Sequence, residues 1–287
     1  MEPIVEIKSL RKEYPGFTLN DISLRLPRGF IMGLIGPNGA GKTTTIKLIL
    51  NMVRKDGGEV RVFGLDSVRD EKAVKSRIGF VLETPAFTSY LPAGKAASAF
   101  GKVYPSWDEA CFRRIAGEFG VPLKKRVHAL SRGTLMKLSI AVALSHGAEL
   151  LVLDEPTSGL DPVFRRELLE RLSGLIRDER TSILFSTHLT SDIERIADYI
   201  TIICGGSIVF SGEKDEIREN WAMVKGDPGL LAAGTEGLLL GIQKSPYGFK
   251  ALTRDAESVR RLWGERAVVE RISFDDVIYF LNRENNP

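Results

Sequence analysis

Gly36-Pro37-Asn38-Gly39-Ala40-Gly41-Lys42-Thr43-Thr44 decides the fold of this chain. A glycine, four residues and then Gly-Lys-Thr is the pattern of a phosphate-binding loop. The glycines let successive backbone N–H groups converge on the β- and γ-phosphates of a nucleotide, Lys42 adds a point charge, and the Thr43 hydroxyl can hold Mg²⁺. The flanks agree. Phe30 to Ile35 is an apolar run that reads as a buried strand, and Thr44, Ile46, Leu48, Ile49 and Met52 carry helical spacing, so a helix N-terminus would face the anion. Strand, glycine-rich turn and helix in that order predict an α/β chain on a P-loop NTPase core. The glycines at 36, 39 and 41 do not spell G-x-G-x-x-G, which excludes a dinucleotide-binding Rossmann reading.

The next piece is Leu150-Leu-Val-Leu-Asp154-Glu155. Four apolar residues ending in two acids describe a central parallel strand whose carboxylates emerge at its C-terminal end, where ligands bind in open α/β sheets. Asp154 would then stand near the Mg²⁺, and Glu155 is the group expected to polarise an attacking water. Phosphoryl transfer needs little covalent chemistry and much positioning of nucleophile and charge.

Between and after these pieces lie Leu130-Ser131-Arg132-Gly133-Thr134, Ser158-Gly159-Leu160-Asp161, and His188 following the apolar run Ile183 to Ser186. In this order and spacing they resemble the signature motif, D-loop and switch histidine of ABC ATPases, and the resemblance covers about Ile4 to Gly212. It implies an ATPase that uses ATP and Mg²⁺. In the family a second anion site, here Ser131, Arg132 and Gly133 with the helix that begins there, faces the γ-phosphate bound to the partner subunit. ATP would then join two subunits head to tail, and its hydrolysis would release them.

Other roles follow from the resemblance residue by residue. Tyr14 matches the aromatic that stacks on adenine, with Phe17 in reserve. Glu83 lies where the family usually has a glutamine that reaches Mg²⁺ and water; a carboxylate there can also ligate the metal but adds negative charge beside the γ-phosphate. Arg132 replaces a glycine and Thr134 a glutamine. Two readings of Arg132 stand, as a cation near the phosphates or as a side chain turned to solvent. Glu155, His188 and Glu83 are the expected catalytic residues, and Thr43, Asp154 and Glu83 the expected metal set.

Composition fits one large α/β core with an appendage: 287 residues, 43% hydrophobic and 27% charged. A net charge of +3, without a dense basic tract, gives no reason to expect nucleic acid. No apolar stretch approaches the length of a membrane span, and the N-terminus lacks the order of a signal peptide. Cys111 and Cys204, far apart, fit reduced thiols. The expected location is the cytoplasm, peripheral to the membrane.

The expected organisation is an ATPase domain over residues 1–212 and an α+β extension over 213–287. Within the first, strands at 4–8, 19–26 and 59–63 suggest an antiparallel β-subdomain with Asp56-Gly57-Gly58 as a turn, and helical patterns from about 86 to 135 suggest a helical subdomain. In the family that subdomain docks on membrane permease subunits. Its aromatics Phe87, Tyr90, Phe100, Tyr104 and Trp107 divide between core and contact surface. Leu238–Ile242 and Ala267–Ile272 read as strands of the extension, Ala256–Trp263 and Phe274–Leu281 as helices, with Ser273 and Asp276 as a cap.

Two function classes follow. One is the ATP-hydrolysing subunit of a transporter with separately encoded permeases, resembling exporters of the bacitracin and acetoin-operon type, working as a homodimer or with a different subunit. The other is a soluble ABC ATPase acting on ribosomes or nucleic acid. Such members usually carry two cassettes or a long coiled coil, whereas this sequence has one phosphate loop and no internal repeat. A small-molecule kinase would leave the signature and His188 without work.

Overall fold

A computed structural model describes residues 2–84, 87–177, 179–231 and 237–285. Met1, Ala86 and Pro287, three of the boundaries expected from sequence, lie outside them. From the N-terminus, β1 (Pro3–Tyr14) and β2 (Phe17–Pro27) form a hairpin, and β3 (Ile31–Ile35) leads through the glycine loop into α1 (Lys42–Ile49). β4 (Gly57–Val62) and β5 (Leu65–Asp66) return to the hairpin, giving an antiparallel sheet of order β2-β1-β4-β5. Gly57 and Gly58 open β4 rather than turning the chain ahead of it, and the β1–β4 register shifts between Lys8 and Arg11 beside them. Glycine in a strand commonly marks such an irregularity. After α2 (Glu71–Lys75) and β6 (Ile78–Val81) come the helices α3 (Ala93–Gly101), α4 (Glu109–Glu118) and α5 (Arg132–Ala143).

The chain then alternates: β7 (Leu150–Asp154), α6 (Pro162–Leu175), β8 (Ser182–Thr187), α7 (Thr190–Ile196), and the pair β9 (Tyr199–Cys204) and β10 (Ser207–Glu213). These complete a sheet of order β10-β9-β3-β8-β7-β6, parallel except for β10. Strand periodicity of two splits the side chains between two cores. Ile31, Ile35, Leu151, Leu153, Ile183 and Phe185 face the helices α5, α6 and α7, while Met32, Leu34, Leu150, Val152 and Leu184 face α1 and the antiparallel sheet. Every residue of β3, β7 and β8 is buried, as central parallel strands covered on both faces must be.

Register sets the site. Ile35 pairs with Thr187, Asp154 with Ser186, and Val81 with Leu153, so β3, β8, β7 and β6 stop along one edge. Gly36, His188, Glu155 and Glu83 stand just past those ends.

Among the helical aromatics, Tyr104 is buried, with its hydroxyl pushed up to about 12 by desolvation, Phe87, Phe100 and Trp107 are half-buried, and Tyr90 is exposed. Cys204 is buried, which pushes its thiol up to about 11, and both cysteines are free. The remaining chain, α8 (Lys214–Asn220), β11 (Ala222–Gly226), β12 (Leu240–Ser245), β13 (Gly248–Thr253), α9 (Ala256–Trp263), β14 (Ala267–Arg271) and α10 (Phe274–Asn285), builds an antiparallel sheet of order β12-β13-β11-β14. Phe274, Val277, Phe280 and Leu281 of α10 belong to the main core, and Thr190 at the start of α7 donates to Asp275 at 2.8 Å. Ser273 caps α10, accepting from the Asp276 N–H and donating to its carboxylate. No helix among the described residues is long and apolar enough to cross a membrane.

Candidate functional site

The loop after β3 is shaped by what its glycines exclude. A Cβ at Gly36 would lie 2.1 Å from the Ile203 carbonyl oxygen, so any other residue would push β9 off β3. Gly41 adopts φ +112°, and a Cβ there would meet Leu19 at 2.6 Å and the Phe17 ring at 3.1 Å. The first turn of α1 holds no acidic side chain, which leaves its N–H groups and dipole to favour an anion. Lys42 Nζ, buried, donates to the Gly36 carbonyl at 2.8 Å and lies 3.6 Å from Glu155 Oε1.

At the ends of β7 and β8 one serine ties the carboxylates together. Ser186 Oγ donates to Asp154 Oδ1 at 2.6 Å and accepts the Glu155 N–H at 3.0 Å. Thr43 Oγ1 also donates to Asp154 Oδ1, at 3.1 Å. Asp154 Oδ2 is buried and has no hydrogen-bond partner, an arrangement of free carboxylate oxygen beside a threonine hydroxyl that suits a hard divalent cation. Glu155 has φ +50°, a left-handed backbone that costs a non-glycine residue about 1 kcal/mol or more and tends to mark functional positions. Its buried carboxylate meets His188 Nδ1 at 2.8 Å through Oε2.

Lys42, Thr43, Glu155 and His188 line a cavity of about 690 Å³ together with Asn38, Gly39, Ala40, Gly41, Thr44, Phe17, Glu83, Arg132 and Ser158, while Asp154 and Ser186 stand outside its lining. Arg132 Nη2 donates to Glu83 Oε1 at 2.8 Å, so of its two sequence readings neither is complete: it stands in the cavity wall, paired with an acid. Gly36 and Pro37 do not line the cavity but offer their carbonyls to Lys42. Tyr14, expected to stack on adenine, lies outside the lining, 39% exposed with the Lys12 ammonium 5.4 Å from its ring, and Phe17, held in reserve, stands in the wall where Gly41 and Gly206 leave room for its ring.

Ser131 is exposed and caps α5, accepting the Thr134 N–H at 3.2 Å, and is not in the cavity wall. Gly133 packs where a Cβ would come 3.2 Å from the Gly159 carbonyl oxygen. Asp161 caps α6; its bond from the Phe164 N–H holds the carboxyl below the usual range, and it too stands outside the wall. Sequence reasoning missed the role of Ser186 and a buried link in which Thr157 donates to Asp192 at 2.7 Å and Arg165 Nε to the same carboxylate at 2.8 Å. A polar residue ending the apolar run 183–186 was a usable signal for Ser186; Asp192, inside a short helix, offered none.

The ABC transporter family model matches residues 19–158. The bacitracin transport ATP-binding protein BcrA of Enterococcus faecalis is 36% identical over 212 residues, covering 73% of this chain and 69% of that protein. BcrA of Bacillus licheniformis is 32% identical, covering 76% and 72%. A solved structure of the ATP-binding subunit of an ABC transporter superposes with a TM-score of 0.66 at 28% identity, covering 75% of this chain and 92% of its own. CbiO1 from Clostridium perfringens, part of the CbiONQ complex, shares the fold with a TM-score of 0.62 at 24% identity, covering 76% and 91%. The chain therefore belongs to the ATP-binding proteins of ABC transporters: it is an ATPase and an ATP-binding subunit of a transport system.

Proposed function

We propose that this subunit powers export, and that it does so by ATP-driven head-to-tail pairing of two copies beneath separately encoded permease subunits on the cytoplasmic face of the membrane. The observation that carries the reading is the division of the site. Lys42, Thr43, Glu155 and His188 line one cavity, with Asp154 bonded to Thr43 beside it, while Ser131, the cap of α5, stands exposed outside it, free to meet a nucleotide on another subunit. Export is favoured by the name of one relative, a Nod factor export ATP-binding protein of Cupriavidus pinatubonensis, 33% identical, while the bacitracin relatives are named for transport. Permease docking has support in a second cavity, of about 440 Å³, between α2 and α3, walled by Lys72, Lys75, Phe80, Phe100 and Val103.

Chemically, Thr43 and Asp154 would hold Mg²⁺, with Glu83 nearby. The ion supplies charge neutralisation at the phosphates. Glu155, fixed by Ser186 and His188, orients the attacking water and takes its proton. Lys42 leaves its loop carbonyls for the phosphates. The test is light scattering of Glu155→Gln protein with and without Mg-ATP. The reading expects the mass to double with ATP; an unchanged mass at concentrations that saturate the nucleotide site would contradict homodimer closure.

A further inference from the structure

The two residues that depart from the family pattern in the cavity wall are bonded to each other. Glu83 follows β6 and Arg132 opens α5, 49 residues later, yet the guanidinium and carboxylate meet at 2.8 Å. We propose that Arg132 is a positioning residue acting in cis: it neutralises and holds Glu83 at its own subunit's nucleotide pocket, instead of acting on the partner's phosphate.

The charge inventory of the pocket carries this. Glu155 and Glu83 bring two carboxylates to the wall of a cavity meant for a polyanion, and Lys42 and Arg132 are the lysine and arginine of that wall. Lys42 already lies against Glu155, which leaves Arg132 as the cation that meets Glu83. A glycine at 132 would leave Glu83 as an uncompensated negative charge on the wall; a glutamine at 83 would need no compensation. The pair also ties the loop after β6 to the first residue of α5, whose next residue packs on the Gly159 carbonyl. Ser131, one residue earlier, caps α5 and makes no bond to the pair.

Both side chains are about half exposed, 58% for Arg132 and 47% for Glu83, so folding does not depend on them and their field at the pocket is screened by salt. This inference rests on the pocket being the ATP site, and the experiment separates the two. Affinity for a fluorescent ATP analogue is measured in EDTA, at protein concentrations where subunits stay apart, for the parent, Arg132→Gly, Glu83→Gln and the double variant. At low salt Arg132→Gly should bind about tenfold more weakly, Glu83→Gln within about threefold of the parent, and the double variant should recover most of the loss. Arg132→Lys should keep most of the affinity, and the deficit of Arg132→Gly should shrink as salt rises. Equal losses from Arg132→Gly in the parent and in the Glu83→Gln background would overturn the pairing. Normal monomer binding by Arg132→Gly with impaired hydrolysis would overturn the cis assignment and return Arg132 to the partner's site. A Lys42→Ala variant that binds like the parent would instead sink the assignment of the pocket to ATP.

Discussion

The cavity has two walls of opposite construction. At the ends of β7 and β8, Glu155 lies between His188 and Lys42 in the wall, and Ser186 ties it to Asp154, with both carboxylates buried. On the other side, Glu83 and Arg132 form a half-exposed ion pair between a loop and a helix start. Buried, networked groups give fixed geometry, because losing a partner is costly where charge is desolvated. An exposed pair tunes field and can exchange partners at little cost. The first wall is therefore suited to chemistry and the second to adjustment.

Breaking the buried wall without touching a carboxylate should cost most. Ser186→Ala removes the shorter of two donors to Asp154 Oδ1 and one of two acceptors of the Glu155 N–H, leaving the Thr43 hydroxyl and the residue 186 carbonyl in place. With about 1 kcal/mol for each lost hydrogen bond, kcat is expected to fall about 30-fold while nucleotide affinity holds within a few-fold. Steady-state ATPase and nucleotide binding check this, and an unchanged kcat would mean that the serine does not hold the geometry.

A smaller effect is expected from the aromatic at the cavity mouth. Phe17→Ala should weaken ATP binding by about tenfold, in line with about 1–3 kcal/mol for base–aromatic stacking, and Tyr14→Ala by less than about twofold. The reverse ranking would restore Tyr14 as the adenine platform.

The smallest effect lies outside both walls and serves as their reference. Glu149, just before β7, is held down to about 2 by its hydrogen bonds from Arg77 and further by Arg28. A depressed carboxyl contributes stability above its unfolded value of about 4.5, and that contribution is lost as pH falls towards 2. Because Glu149 is about one-third exposed, Glu149→Gln should cost about 1 kcal/mol at neutral pH after solvent screening, the gap from the parent closing as pH drops towards 2. Urea unfolding at pH 7 and pH 3 measures it; a gap that widens in acid would reverse the sign.

The buried wall was legible in sequence and the adjustable one was not. Gly36 to Thr44 and Leu150 to Glu155 impose their own surroundings, since an apolar run followed by glycines or acids allows few arrangements. Glu83 and Arg132 could each be seen as unusual, but their contact depends on how the helices fold back over β6, which no local pattern encodes. The aromatic in the cavity wall was not singled out for a related reason: Tyr14 and Phe17 sit on the two sides of one tight turn, and it is Phe17 that fits the space left by Gly41 and Gly206. In the extension, β12 and β14 were visible as apolar runs, whereas β11 (AMVKG) and β13 (GFKALT) mix glycine, alanine and lysine and are strands because they pair centrally with each other.

The division between the walls is tested most directly by single-turnover ATP hydrolysis in Glu155→Gln beside Glu83→Gln, each with nucleotide saturating. The account predicts that Glu155→Gln still binds ATP but loses hydrolysis by at least about 100-fold, the scale of a missing general base, while Glu83→Gln slows it by no more than about tenfold. Hydrolysis by Glu155→Gln at near the parent rate, or a larger loss in Glu83→Gln than in Glu155→Gln, would contradict it.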